Sequence, residues 1–328
     1  MSETPVLVHI GSPMTDEQLG RLRAVSPRLR LSYHPYIPYI KPSEVEPELL
    51  DAEVVMGYHA YFDMSQAPRL RWLQLTGDGA DHLRGKPIMR SDVLITNARV
   101  FATPITEYVF ASVLSWFYQF PKMRERFQQQ RLYPANQWLE YQSDELEGKT
   151  LAIIGYGSIG HKLAKVAQAF QMDVIATRRS VDAPIHEDGV EVWPANRLRD
   201  VLARGDVVVV CLPLTDETEG LIGEAELRAM KPNAYLVAVG RGKVIDEAAL
   251  VRALKEQWIA GAGLDVFAQR PLSADSPFFD LPNVIMTPHM SGVSKGYAKR
   301  GIALYCENMR RYLAGEPLTN VVDKSKGY

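Results

Sequence analysis

Three residues, each just after an apolar run, are placed to do chemistry on a small anion. Arg241 lies in Val239-Gly240-Arg241-Gly242, Asp265 near the end of the run 261–267, and His289 after Thr287-Pro288. A guanidinium grips a carboxylate through two parallel hydrogen bonds and keeps its charge at any working pH. An imidazole gives or takes a proton near neutrality. The glycines beside Arg241 are read as clearing space around its guanidinium, and Pro288 as fixing the turn before the histidine. Taken singly, each has a plainer reading: an ion-pair arginine, a capping aspartate, a turn histidine. Together, at the ends of successive strands, they point to a reaction centre. Metal chemistry has no such support, because no two histidines stand at ligand spacing and no Cys-x-x-Cys occurs. A Gly-x-Ser-x-Gly nucleophile turn is also missing.

The elements that would position these residues begin with an apolar strand running into Gly155-x-Gly157-x-x-Gly160 and then a helix. In that context Gly155 permits a tight turn, Gly157 lets the main chain approach a pyrophosphate, and Gly160 lets helix and strand pack closely. The helix start, with Tyr156, Ser158 and Ile159 in the turn, offers unpaired N–H groups to phosphate. A second buried strand follows and ends in Thr177-Arg178-Arg179-Ser180. Enzymes that use NAD usually place Asp or Glu there, on the ribose 2′-hydroxyl. This stretch has no carboxylate and two guanidiniums, so the sequence favours NADP(H), with NAD(H) as the alternative.

The rest of the chain is α/β in pattern. Strands are expected at 6–10, 29–33, 54–57, 70–75 and 94–97, and then near Val192 and at 207–212, 234–239, 261–267 and 284–287. Helices are expected at 16–25 after Thr15, at 103–120, at 247–257 after Asp246 and at 295–313, with a polar, aromatic segment at 128–147. Hinges near Ala102 and His289 divide residues 1–102 plus 290–328 from residues 103–289. The expected fold class is α/β, with two doubly wound parallel sheets, the second one a Rossmann unit. The chain has 328 residues and a formal charge of −2, which gives no reason to expect nucleic acid or a membrane surface as partner. Two cysteines make no disulfide framework and suit a reducing cytoplasm, and no signal peptide or membrane-length apolar run is visible.

The chain resembles the D-isomer-specific 2-hydroxyacid dehydrogenase family, which includes glyoxylate/hydroxypyruvate reductases, phosphoglycerate dehydrogenases and formate dehydrogenases. The resemblance spans nearly the whole length. It rests on Ile95-Thr-Asn-Ala-Arg99 with Thr106-Glu-Tyr108, on Gly155 to Gly160, on the run 212–222, on Met230-Lys-Pro-Asn233, on the runs 241–247 and 261–267, and on Thr287-Pro-His289. It implies a flavodoxin-like substrate domain built from both chain ends, a central dinucleotide domain, a cleft between them, and a homodimer joined through the dinucleotide domain. It also implies roles. Arg241 would grip the carboxylate and carbonyl of a 2-oxo acid, and His289 would protonate the carbonyl oxygen as hydride arrives. Asp265 would orient the nicotinamide carboxamide, and the N–H groups of Gly77-Asp78-Gly79 would hold the carboxylate. Leu212, Pro213, Thr218, Val239 and Gly240 join the cofactor-binding set. The competing class is a dinucleotide-binding sensor or scaffold without catalysis.

Two departures from the family pattern bear on this. The Glu that normally precedes the Pro-Leu after Asp-Val-Phe, and pairs with the histidine, is Arg270 here. A cation within ~4 Å of the imidazole disfavours its protonated form by up to ~4 kcal/mol at an effective dielectric near 20. Reduction would then fall off at a more acidic pH than in a Glu-bearing relative. The alternative is that Arg270 turns to solvent and Asp275 or Gln269 serves the histidine; formate dehydrogenases also lack this Glu and use a Gln. The second departure is Asp78, where the family has a small or apolar residue. It either points away from the substrate or forms a charge swap with Arg270. Aromatic residues at 58–62 and Trp138 are either pocket lining for a larger 2-oxo acid or ordinary packing.

Overall fold

The computed structural model describes residues 4–35, 47–57, 67–131 and 142–328. Two compact units emerge, residues 1–101 with 294–328, and residues 102–293. Ala102 and residues 290–293, assigned to the first unit from sequence, belong to the second. Ala102 opens a helix of that unit, and the 290–291 main chain is hydrogen-bonded to its Asp265.

The first unit runs β1 (Val6–Ile10), α1 (Asp16–Arg23), β2 (Leu29–Tyr33), α2 (Pro47–Asp51), β3 (Val54–Met56), β4 (Trp72–Gln74) and β5 (Leu94–Thr96), and is completed by the C-terminal helix Lys295–Ala314. The strands form one parallel sheet in the order β2-β1-β3-β4-β5. That is the flavodoxin-like doubly wound order. Alternate residues of each strand face opposite ways. Val54, Met56 and Trp72 therefore join Leu19, Leu22 and Met309 in one core, while Val55 and Leu73 join Leu49, Leu83 and Ile95 in the other. Thr15 closes a capping box on α1 as its sequence position suggests.

The second unit runs α3 (Ala102–Phe117), α4 (Phe120–Gln130), β6 (Thr150–Ile154), α5 (Ser158–Ala169), β7 (Asp173–Arg178), β8 (Ile185–Glu187), β9 (Val190–Pro194), α6 (Leu198–Leu202), β10 (Val207–Val210), α7 (Glu224–Ala229), β11 (Tyr235–Ala238), α8 (Glu247–Lys255), β12 (Gly261–Leu264) and β13 (Val284–Met286). Its sheet has the order β13-β12-β11-β10-β6-β7-β9-β8. All pairs are parallel except β8 with β9. The chain starts at β6, winds one way through β7 and β9, and then returns to β10 and winds the other way. This is the Rossmann order with two further strands, β13 at one edge and the antiparallel β8 at the other, and its switch point lies between β6 and β10. Covered on both faces, the strands are continuously apolar; Val207–Val210 is buried at every position.

Two elements differ from the sequence expectation. The helix expected over 103–120 ends at Phe117, and Gln119 takes φ 54° before α4 begins with Pro121 in its first turn. Proline tolerates a first turn and disrupts a helix interior, so the chain turns and starts again. Strand β8 was not expected at all. It makes a two-residue hairpin with β9 through Asp188 (φ 51°) and Gly189 (φ 74°), the left-handed pair of a tight hairpin turn.

The cap expected at Asp246 is present, its carboxylate accepting from Ala249 N at 3.1 Å. Asp246→Ala should lower the stability of the second unit by about 1 kcal/mol, read as a shifted urea midpoint with an unchanged slope.

Candidate functional site

The glycine turn fits a dinucleotide pyrophosphate. Gly155 sits at φ 110°, and the turn is tied down by Tyr156 N donating to Thr177 O at 2.8 Å and Gly157 N to Gly155 O at 3.0 Å. A Cβ on Gly160 would stand 2.8 Å from Gly155 O, whereas one on Gly157 would meet nothing within 4 Å. Gly160 is therefore a packing glycine, and Gly157 borders open space at the helix start. No side chain caps α5. Its first-turn N–H groups, at Ser158 and Ile159, are the donors an anion would find there. Across the switch point, burial pushes the Cys211 thiol up to about 12, and the neutral S–H donates to Gly155 O at 3.1 Å. Half-buried Leu212 and Pro213 continue from it. Thr218, expected at the cofactor, has its hydroxyl committed to its own loop, donating to Pro213 O at 2.7 Å and accepting from Thr215 N at 2.8 Å.

At the end of β7, the two guanidiniums read as available are both ion-paired. Arg178 faces Glu187 through Nη2–Oε2 at 2.8 Å and Nη1–Oε1 at 3.2 Å, and Arg179 Nη1 lies 2.8 Å from Glu217. Thr177 is buried and Ser180 exposed. The carboxylate missing from the strand end is thus supplied by the hairpin that follows it, a contact with no local signal beyond Asp188-Gly189.

Arg241, Asp265 and His289 follow β11, β12 and β13, three neighbouring parallel strands, so all three emerge from the same end of one sheet. The expectation that Gly240 and Gly242 clear space for the guanidinium is corrected. A Cβ on Gly240 would stand 2.5 Å from Leu212 O, and one on Gly242 would overlap the main chain of Phe267. These glycines let the Arg241 loop press against the loops after β10 and β12. Val239 and Gly240 N–H groups both donate to Val210 O, at 3.1 and 3.2 Å, and Arg241 Nη1 donates to Gly240 O at 3.1 Å.

Asp265 is fully buried. Its Oδ1 accepts from Thr287 Oγ1 at 2.6 Å and Met290 N at 2.7 Å, and its Oδ2 from Ser291 N at 2.9 Å. The carboxylate therefore grips the chain on both sides of His289, which is held in the left-handed region at φ 58°. That conformation costs a non-glycine residue roughly 1–2 kcal/mol, and hydrogen bonds to a charged group contribute about 1.5–3 kcal/mol each, enough to hold it. Thr287 gives its single hydroxyl proton to Asp265, so Tyr108 OH, at 2.7 Å, must donate to Thr287 Oγ1. Burial above all, with the nearby Asp265 charge, pushes the Tyr108 phenol up to about 12, against the lowering effect of Thr287. It stays a neutral donor.

Arg270 takes the first of the arrangements left open by the sequence: its Nη1 lies 2.8 Å from His289 Nδ1. Guanidinium can only donate, so Nδ1 must accept, the imidazole is neutral, and its proton sits on Nε2. Asp275 hydrogen-bonds to Ser273 Oγ instead. Glu247 Oε1 accepts from Ala268 N at 2.6 Å and fixes the segment that carries Arg270.

In the first unit, Gly77, Asp78 and Gly79 form a half-buried loop after β4. Its carbonyls are tied down, Gly77 O by Ala98 N at 3.0 Å and Asp78 O by Asn97 Nδ2 at 2.8 Å. This explains the Asn97-Ala98 of the sequence motif. The aromatic residues at 58–62 and Trp138 lie outside the described residues. Among the described residues, no group of three His, Cys, Asp or Glu could hold a metal ion, and no helix is long and apolar enough to cross a membrane.

Residues 110–291 match the model of the D-isomer specific 2-hydroxyacid dehydrogenase NAD-binding domain. The chain is 34% identical over 272 residues to a glyoxylate reductase of Aeropyrum pernix, covering 80% of this chain and 78% of that one. The chain belongs to the D-isomer specific 2-hydroxyacid dehydrogenases. It is an NAD(P)-dependent 2-hydroxyacid oxidoreductase with the two-domain Rossmann-type fold of that family. Among solved structures, it superposes with a TM-score of 0.83 on a family member from Xanthobacter autotrophicus in complex with NADPH and MES, at 27% identity over 99% of this chain and 100% of that one. The TM-score is 0.81 for an NADPH-dependent glyoxylate/hydroxypyruvate reductase from Sinorhizobium meliloti in complex with NADP and sulfate, at 28% identity over 99% of this chain and 100% of that one. A binding protein without catalysis is not favoured by these relatives.

Gly242→Ala would drive a methyl group into the Phe267 main chain. It should cut kcat/KM by more than tenfold with no change to any charged group. A variant with wild-type kinetics and wild-type melting would show that the two loops need not touch.

Proposed function

We propose that this dehydrogenase reduces a small 2-oxo acid, glyoxylate or hydroxypyruvate in the first instance, with NADPH preferred over NADH. The observation that carries the reading is the alignment of Arg241, Asp265 and His289 at one end of three adjacent strands, beside an uncapped glycine turn. The turn and the N-terminus of α5 would hold the pyrophosphate, and Arg178 and Arg179 would bind the 2′-phosphate. The NADP-bound Sinorhizobium relative supports that preference. The reduced nicotinamide supplies the hydride.

The protein supplies charge and a proton. Arg241 binds the substrate carboxylate and carbonyl oxygen and stabilises the alkoxide charge that develops there. The main-chain N–H groups of the Gly77–Gly79 loop in the first unit suit a carboxylate, as the family resemblance implies. Asp265 holds the His289 loop through its bonds to Thr287, Met290 and Ser291. His289 presents Nε2–H to the carbonyl oxygen. In its neutral form it polarises the carbonyl by hydrogen bonding, and as imidazolium it gives the Nε2 proton outright. Forming the imidazolium puts a proton on Nδ1, which requires Arg270 to let go. The family resemblance supports a homodimer through the second unit, and the two free cysteines suit a reducing cytoplasm.

A panel of 2-oxo acids followed by loss of NADPH absorbance tests this reading. Turnover that His289→Ala lowers by more than about a hundredfold is expected; tight coenzyme binding with no turnover on any acid would refute it. The pH profile tests the role of Arg270. Arg270→Gln removes the guanidinium that keeps Nδ1 unprotonated, so the alkaline limb of the reduction profile should move to higher pH. Wild-type reduction sustained well above neutrality, and unmoved in the variant, would contradict this.

A further inference from the structure

We infer that Glu187 is a cofactor-selecting residue, an internal anion on the donors that a 2′-phosphate needs. This rests on the proposed NADPH preference and on Arg178 as phosphate ligand. Glu187 stands at the end of β8, outside the glycine turn and outside the β7 terminus where the discriminating carboxylate of NAD enzymes usually lies. Its carboxylate meets three nitrogens: both terminal nitrogens of Arg178, at 2.8 and 3.2 Å, and His161 Nε2 at 3.2 Å. The other nitrogen of His161 is occupied by Gly157 O at 2.7 Å, and its ring stacks on Tyr156 at 4.0 Å between centroids. The cluster therefore touches the glycine turn itself.

The donors of Arg178 are where the two anions compete. Bidentate capture of phosphate uses either the two Nη groups or Nε with one Nη. Both Nη groups are on Glu187, and Nε is buried without a partner. Because Nε is buried, bidentate capture from solvent falls to the two Nη groups, whose converging N–H bonds point at Glu187, so Arg178 grips a phosphate with both only by releasing Glu187. A phosphate arriving while Glu187 stays in place would meet a carboxylate; a 2′-hydroxyl would meet an acceptor. The arrangement therefore restrains NADPH binding and tolerates NADH, which narrows a preference that Arg178 alone would make steep. The Arg178 bond is the largest of the effects that hold the Glu187 carboxyl below its usual range, with His161 next, so the competing anion is charged throughout the working range.

The test is calorimetric, on the full chain, with adenosine 2′,5′-bisphosphate and 5′-AMP as probes. It is accompanied by kcat/KM for NADPH and NADH. Glu187→Gln should tighten the bisphosphate by about tenfold, a difference of about 1.4 kcal/mol, leave or weaken 5′-AMP, and raise the NADPH:NADH ratio of kcat/KM. Glu187→Ala should do the same, and melting curves confirm that both variants are folded. Arg178→Ala should weaken the bisphosphate in the wild-type background. A Glu187→Gln protein whose bisphosphate affinity is unchanged or weaker, while Arg178→Ala still weakens it, overturns the inference and leaves the NADPH reading standing. Arg178→Ala without effect on the bisphosphate, together with a wild-type preference for NADH, overturns both.

Discussion

A buried carboxylate organises the reacting end of this protein. Asp265 has no exposed surface and three donors, all from the chain between Thr287 and Ser291. An unpaired charge in that position would be strongly unfavourable, and the pairing that satisfies it also fixes the turn around His289. The left-handed backbone of His289 is otherwise a poor conformation for a residue with a Cβ. Burial, charge and strain thus balance within five residues, and the imidazole is the side chain that results. Tyr108 extends the network onto α3, so the helix that opens the second unit and the strand near its end are joined by one chain of hydrogen bonds.

Around this anchor, charge is arranged to set protonation. A relative with a carboxylate beside the histidine would favour the imidazolium; here Arg270 occupies Nδ1 and favours the neutral ring. Glu247 contributes indirectly by fixing Ala268, and with it the segment that delivers Arg270. The same logic recurs at the coenzyme end, where a carboxylate from a hairpin neutralises an arginine at a strand end. In both places a charged side chain from outside the local motif alters what the motif would do alone.

That division also separates what the sequence shows from what it hides. The strands were legible because buried parallel strands are continuous apolar runs, and the glycine turn because its spacing sits between one such run and a helix. Arg241, Asp265 and His289 were legible because each follows a strand, and parallel strands deliver their following residues to one end of the sheet. Partnerships were not. The Arg178–Glu187 and Arg270–His289 contacts join residues on different elements and leave no periodic trace. The role of Gly240 and Gly242 was misread for the same reason, since the main chains they accommodate come from distant loops. Helix α4 and strand β8 had local signals, Pro121 and Asp188-Gly189, that mark a restart and a hairpin.

The most direct measurement is amide hydrogen exchange at Met290 and Ser291 in the wild type and in Asp265→Asn, together with kcat. The substitution keeps the shape of the side chain and turns one acceptor oxygen into a donor. If the carboxylate holds the histidine turn, exchange at one or both amides rises by more than tenfold and kcat falls with it. Unchanged exchange at both amides, with kcat intact, would show that the turn stands without Asp265 and that the histidine is positioned by something else.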